Sequence, residues 1–121
     1  MYLYDEPHNR LTIAYALGYP EDTTGFTLKS SEGVVGRVIR TLEAVVIGDV
    51  TSDPDYLSVV PGMVSTLAVP LVHKAKPIGA LNVLSRSRDR FSERDAAVLR
   101  QFAAHVATAL VNARLFERQR S

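Results

Sequence analysis

The pattern of apolar and polar positions changes period several times along the chain, and each change marks an element. Tyr2 to Glu6 alternates weakly and ends in Glu6-Pro7-His8-Asn9, a turn composition. Leu11, Ile13, Tyr15 and Leu17 then alternate with Thr12, Ala14 and Ala16, the two-residue period of a strand with one apolar face. The short polar turn between these segments predicts an antiparallel hairpin. Gly18 to Gly25 reads as a loop. Val35, Val38, Ile39 and Leu42 fall at i, i+3, i+4 and i+7, a single stripe that predicts an amphipathic helix over 33–42. Gly33 and Gly36 at its start allow close backbone approach. Ala44 to Ile47 reads as a short buried strand, and Ser65–His73 and Ile78–Ser85 as two strong strands around Lys74-Ala75-Lys76-Pro77. Pro70 cannot donate to a ladder, which places it at an edge, a bulge or a bend.

The last segment opens on Ser92-Glu93-Arg94-Asp95, a capping-box pattern, and carries no Gly or Pro up to Ser121. It predicts a helix of about 28 residues, roughly 42 Å at 1.5 Å per residue. Leu99, Phe102, Val106, Ala109, Ala113 and Phe116 recur with spacings of 3, 4, 3, 4 and 3, a heptad seam suited to pairing with a second copy. Residues 113–121 are expected to project beyond the body as the start of a signalling helix. The whole predicts one α+β domain over 1–121, with helices packed on a mostly antiparallel sheet. Between Gly48 and Val64 lies a long connector punctuated by Asp49, Asp53-Pro54 and Pro61-Gly62. Long ordered loops of this kind often carry function, so it is the first place to seek a ligand.

Composition narrows the chemistry. The 121 residues are 46% hydrophobic and 22% charged, with no apolar run long enough to span a bilayer and no basic-then-apolar leader. This fits a cytoplasmic protein. Cysteine is absent, which removes disulfides, thiolate metal sites, thiol nucleophiles and thioether-linked chromophores. Residues 1–60 hold four Lys/Arg against nine Asp/Glu, and residues 61–121 hold ten against four. Arg86, Arg88, Arg90 and Arg94 form the tightest basic group, but Asp89, Glu93 and Asp95 dilute it, so nucleic acid is not the expected partner. Asp49, Asp53 and Asp55 lack the density and late glutamate of a calcium loop and read as turn and cap residues. His8, His73 and His105 have no metal-ligand spacing, and nothing argues for haem. Gly33-Val34-Val35-Gly36 lacks the basic residues of a phosphate-gripping loop, and no Gly-x-Ser-x-Gly elbow occurs.

The chain resembles the GAF domain family. The resemblance rests on the order and spacing of Glu32-Gly33-Val34-Val35-Gly36-Arg37-Val38, Val45-Val46-Ile47-Gly48-Asp49-Val50, Leu67-Ala68-Val69-Pro70-Leu71, Ile78-Gly79-Ala80-Leu81-Asn82-Val83 and Phe91-Ser92-Glu93-Arg94-Asp95. It implies a PAS/profilin-like antiparallel sheet of strand order 2-1-5-4-3. A short helix and the long loop would enclose a pocket in front, and the long C-terminal helix would lie behind. Such domains begin with an amphipathic helix, whereas this chain opens on a strand, so it reads as a form lacking that helix.

The implied function is regulatory. A sensory domain would bind a small molecule of unidentified kind through Ile47, Asp49, Tyr56, Leu67 and Asn82 and pass its state along the C-terminal helix to an attached effector. The alternative is a ligand-free dimerisation scaffold, and in either case a homodimer through that helix is expected. The cyclic-nucleotide signature of the family is half absent: Asn82 is followed by Val83 and not lysine, and Phe91…Asp95 by Ala96 and not glutamate. Bilin attachment is excluded by the missing cysteine. The family's methionine-sulfoxide reductases also depend on cysteine, so the expectation is a binding domain and not an enzyme.

Overall fold

A computed structural model describes residues 1–18, 24–58 and 60–120 of the chain, with side chains through Arg114. Six strands form one antiparallel sheet: β1 (Tyr2–Asp5), β2 (Arg10–Ile13), β3 (Thr27–Lys29), β4 (Val45–Ile47), β5 (Ser65–His73) and β6 (Lys76–Ser85). Their order is β3-β2-β1-β6-β5-β4. Without β3 this is the expected 2-1-5-4-3 arrangement. β3 is an addition at the outer edge, in a stretch whose apolar pattern is too short to register in the sequence. It pairs with β2 through Leu11↔Leu28 and its neighbours. β2 itself ends at Ile13, and Tyr15 and Leu17 leave the ladder exposed.

Two helices cover opposite faces. In front lies α1 (Gly33–Thr41), which buries Val34, Val35, Val38 and Ile39. Nine residues are too few for a stable isolated helix, so this burial, roughly 1.5–3 kcal/mol per large side chain, holds it. Gly33 adopts φ +71, a left-handed start that favours glycine, and a Cβ on Gly36 would meet the Ser30 carbonyl at 2.7 Å. The two glycines therefore serve packing. Leu42 closes α1 in the left-handed conformation, its N–H donating to the Val38 carbonyl at 2.8 Å.

Behind the sheet runs α2 (Glu93–Arg120). Its start is capped reciprocally. The Asp95 N–H donates to Ser92 Oγ at 3.3 Å, and the Ser92 N–H donates to Asp95 Oδ2 at 2.9 Å. Ala96, Ala103 and Ala107 are buried against Leu67, Val69 and Leu71 of β5, with Leu99, Val106 and Leu110 flanking them. Small residues at the nearest points let the helix lie close on the strand.

The heptad seam does not act as one surface. Leu99 and Val106 turn toward the sheet, whereas Phe102, Ala109 and Ala113 are exposed. A helix lying on a sheet presents a 3.6-residue stripe, and this divides a 3.5-residue seam between two sides. The side chain of Phe116 lies outside the described residues.

Pro70 sits two residues past Ala68, the last β5 position paired with β4, so no donor is missed on that side. An irregularity follows between Leu71 and Val72. It carries Ile78 into the rear cluster, away from the face shared by Ala80 and Asn82. At Gly79, paired with Leu3 of β1, a Cβ would strike the Tyr2 carbonyl oxygen. β1 meets β6 at only two residue pairs, so this approach is critical to its docking. Replacing Gly79 with valine should cost about 1–3 kcal/mol, the usual scale of overpacking. A urea midpoint equal to that of the wild-type chain would show that β1 tolerates the displacement.

Candidate functional site

The front cavity lies between α1, the connector and the sheet. Its walls include Gly33, Val34 and Val35 from the start of α1, Tyr56 and Leu57 from the connector, and Thr66, Asn82 and Leu84 from β5 and β6. Its volume is about 20 Å³, room for one water. Among the described residues, no charged side chain lines it.

The polar floor comes from the pleat of two neighbouring strands. Thr66 and Ala68 face forward on β5, and Ala68 pairs with Asn82 of β6. The Thr66 hydroxyl, 1% exposed, lies 2.6 Å from Asn82 Oδ1 and 3.1 Å from the Val83 carbonyl oxygen. It has one proton for two acceptors. If the carboxamide turned over, Asn82 could donate to Thr66 while Thr66 donates to Val83. In either orientation one end of the Asn82 carboxamide is engaged and, among the described residues, the other is not.

The roof hangs on ion pairs. Arg37, from the outer side of α1, reaches Asp53 Oδ2 at 2.8 Å and Asp55 Oδ2 at 3.3 Å. Asp53 Oδ1 also accepts from the Asp55 N–H at 2.9 Å. Burial pushes the Asp53 carboxyl upward, but the hydrogen bonds from Arg37 and the Asp55 amide, with the Arg37 charge, bring it below its ordinary value of 3.8. Tyr56 follows directly, packed on the front core, and burial raises its phenol above 10.0. Leu57 covers Gly33, its side chain 3.7 Å from where a Cβ there would stand.

Two of the five expected pocket residues, Tyr56 and Asn82, line this cavity. Ile47 is buried in the front core without reaching the lining. Asp49 accepts from the Thr51 N–H at 3.0 Å and from its hydroxyl at 2.6 Å, and pairs with Arg88 at 3.3 Å, all outside the cavity. Leu67 points backward into the α2 layer, because the strand pleat puts it opposite Thr66 and Ala68. Thr66 is the residue that sequence reasoning passed over; its parity with Ala68 and Asn82's need for a partner were the available signals.

Beside β6, a groove of about 560 Å³ borders both faces of the sheet, lined by Tyr2, Ile13, Asn82 and Leu84 in front and by Leu81, Val83, Leu99 and Phe102 behind, among others. It continues into an apolar face where Val98 is 62% and Phe102 57% exposed. Among the described residues, no helix is long and apolar enough to cross a membrane.

A family model described as GAF domain matches residues 1–111. No curated protein matches the chain significantly. Among solved structures, the free methionine-R-sulfoxide reductase from Neisseria meningitidis, in complex with its substrate, superposes at TM-score 0.86 with 29% identity, over 94% of this chain and 66% of that one. The GAF domain of an Acinetobacter phosphoenolpyruvate-protein phosphotransferase gives TM-score 0.85 and 25% identity, over 97% of this chain and 72% of that one. The type II free methionine-R-sulfoxide reductase from Thermoplasma acidophilum gives 0.80 and 26%, over 88% and 73%.

These neighbours overturn the expectation that the domain is not an enzyme, since two of them are reductases built on this fold. The absence of cysteine removes thiol chemistry from this chain and nothing broader.

Two outcomes follow from the floor and the roof. Thr66→Val keeps the shape but strands Asn82, and should cost about 1–2 kcal/mol in a denaturant titration, against no change if the bond is dispensable. Asp49, Asp53 and Asp95 are all depressed below 3.8. Their contribution is present above the unfolded value and lost as pH falls through the lower folded values. Stability should therefore hold down to about pH 4 and fall below it. Asp53→Asn should flatten that decline; an identical acid profile for the variant would refute the assignment.

Proposed function

The chain belongs to the GAF domain family, and from that premise we propose that it is a regulatory domain whose front cavity receives a small polar molecule of amino-acid size. The observation that carries this reading is the half-engaged Asn82 carboxamide, held by buried Thr66 on the floor of a cavity without charged walls among the described residues. Neutral donors and acceptors in an apolar setting suit a ligand recognised by its polar head and enclosed by its apolar remainder. The first residues of α1 also line the cavity, and Glu32 gives them no side-chain cap. Two of the structural neighbours act on free methionine-R-sulfoxide, which makes free methionine and its sulfoxides the first compounds to try. At about 20 Å³ the cavity must widen to accept them, so binding selects an opened form. The occupied state is then passed through the sheet to α2 and an attached effector.

A second reading, a dimerisation scaffold without ligand, draws on the exposed Val98 and Phe102 on the rear apolar face. A thermal-shift screen separates the two. A true ligand at about a hundred times its Kd should raise Tm by roughly 8–15 °C, and Asn82→Ala should abolish the shift. No shift from methionine, its sulfoxides or other small polar metabolites, with a dimer by light scattering that Phe102→Glu dissociates, would replace the first reading with the second.

A further inference from the structure

We infer that Arg37 with Asp53 and Asp55 is a latch that holds the segment 53–58 shut over the front cavity, and that its release is the opening through which a ligand enters. This rests on reading that cavity as the ligand site, but the latch itself follows from how the segment is tied down.

The base of the connector is fixed. The Val50 N–H donates to the Val64 carbonyl at 2.7 Å, the Val64 N–H donates to the Ser85 carbonyl at 2.8 Å, and Asp49 caps the turn over Val50–Ser52. Beyond that base the main-chain bonds of 53–58 are local: Asp53 to Val50 at 3.2 Å, Tyr56 to Asp53 at 3.3 Å, and the Asp55 amide to the Asp53 side chain at 2.9 Å. None reaches a strand or α1 among the described residues. The polar tie to another element is the Arg37 fork, which grips Asp53 and Asp55 immediately before the two roof residues Tyr56 and Leu57.

Arg37 itself stands on firm ground. Its helix is anchored by Val34, Val35, Val38 and Ile39 in the core, so the guanidinium is presented from a fixed support. Asp53 is the joint, with one carboxylate oxygen on Arg37 and the other on the Asp55 amide. Among the described residues, releasing Arg37 leaves the local main-chain bonds of 53–56 and the packing of Tyr56 and Leu57 to hold the roof. Segments with few buried contacts and no long-range main-chain bonds open at free energies well below that of global unfolding.

Hydrogen exchange on the full chain tests this directly. Arg37→Gln should speed exchange of the hydrogen-bonded Asp55 and Tyr56 amides by about ten-fold or more, with α1, β5 and β6 as protected as before. Arg37→Lys, which keeps the charge but loses the fork, should fall between. If Arg37→Gln does not fold, the Asp53→Asn, Asp55→Asn double variant cuts the same tie from the other side and should give the same local acceleration. Unchanged exchange of the Asp55 and Tyr56 amides, or equal acceleration in α1 and β5, would overturn the latch. Free methionine and its sulfoxides are then added to wild type and variant alike. Local acceleration without binding to either would leave the latch standing and refute the ligand reading; binding without local acceleration would do the reverse.

Discussion

Strand β5 has to be buried on both faces, and much of the structure follows from that demand. Ser65, Thr66, Leu67, Ala68 and Val69 are all buried in succession, although a strand alternates its side chains between two sides. A sheet with one wet face could not accommodate such a run, so a layer must cover each side. Behind, α2 supplies it with alanines at the closest points; in front, α1 and the connector share the task. The outer strands β1, β2 and β3 complete the front layer through Tyr2, Leu11, Ile13 and Leu28.

The same demand explains why the candidate site is polar where it is. Thr66 is a hydroxyl in a position that packing alone would give to an aliphatic residue. Buried, it must find a partner, and the strand register supplies Asn82 and the Val83 carbonyl. Asn82 is therefore oriented by the core, and it lines both the cavity and the groove beside β6. One pair of side chains thus meets a structural necessity and supports the proposed recognition.

What could be read from the sequence divides along physical lines. The stripe Val35, Val38, Ile39 and the Ser92 capping box report their helices directly, because local periodicity and local hydrogen bonds fix them. The sheet order emerged only from the resemblance of spaced motifs, since antiparallel neighbours far apart in sequence leave no local trace. β3, three residues long, has too few positions to show a period and depends on β2 for its ladder. Parity misplaced Leu67: the face of a strand residue is known only relative to a correctly placed neighbour, and a bulge such as the one that turns Ile78 backward reverses the count. The ion pairs from Arg37 to Asp53 and Asp55 were invisible because they join residues 16 and 18 positions apart. The expectation of a non-catalytic domain failed for a different reason. It treated the loss of one nucleophile as the loss of all catalysis, whereas the fold is shared by enzymes and regulators.

The two sides of the sheet also differ in how readily they move, and this bears on how a signal could cross it. In front, a short segment is tied by one arginine; behind, a 28-residue helix is seated along β5. The thickness between them is a single strand layer. Asn82 lines the front cavity and borders the larger groove as well, and its neighbour Val83 faces that groove beside Leu99 and Phe102. Under the proposed function, a ligand that draws on Asn82 acts on the strand position adjacent to Val83, which shares a groove with Leu99 and Phe102 of α2. For occupancy to shift α2, binding must favour one seating of Val83 against Leu99 and Phe102 over another, because equal affinity for both shifts nothing. The exposed Val98 and Phe102 give the helix an apolar side with room to take part in such a change.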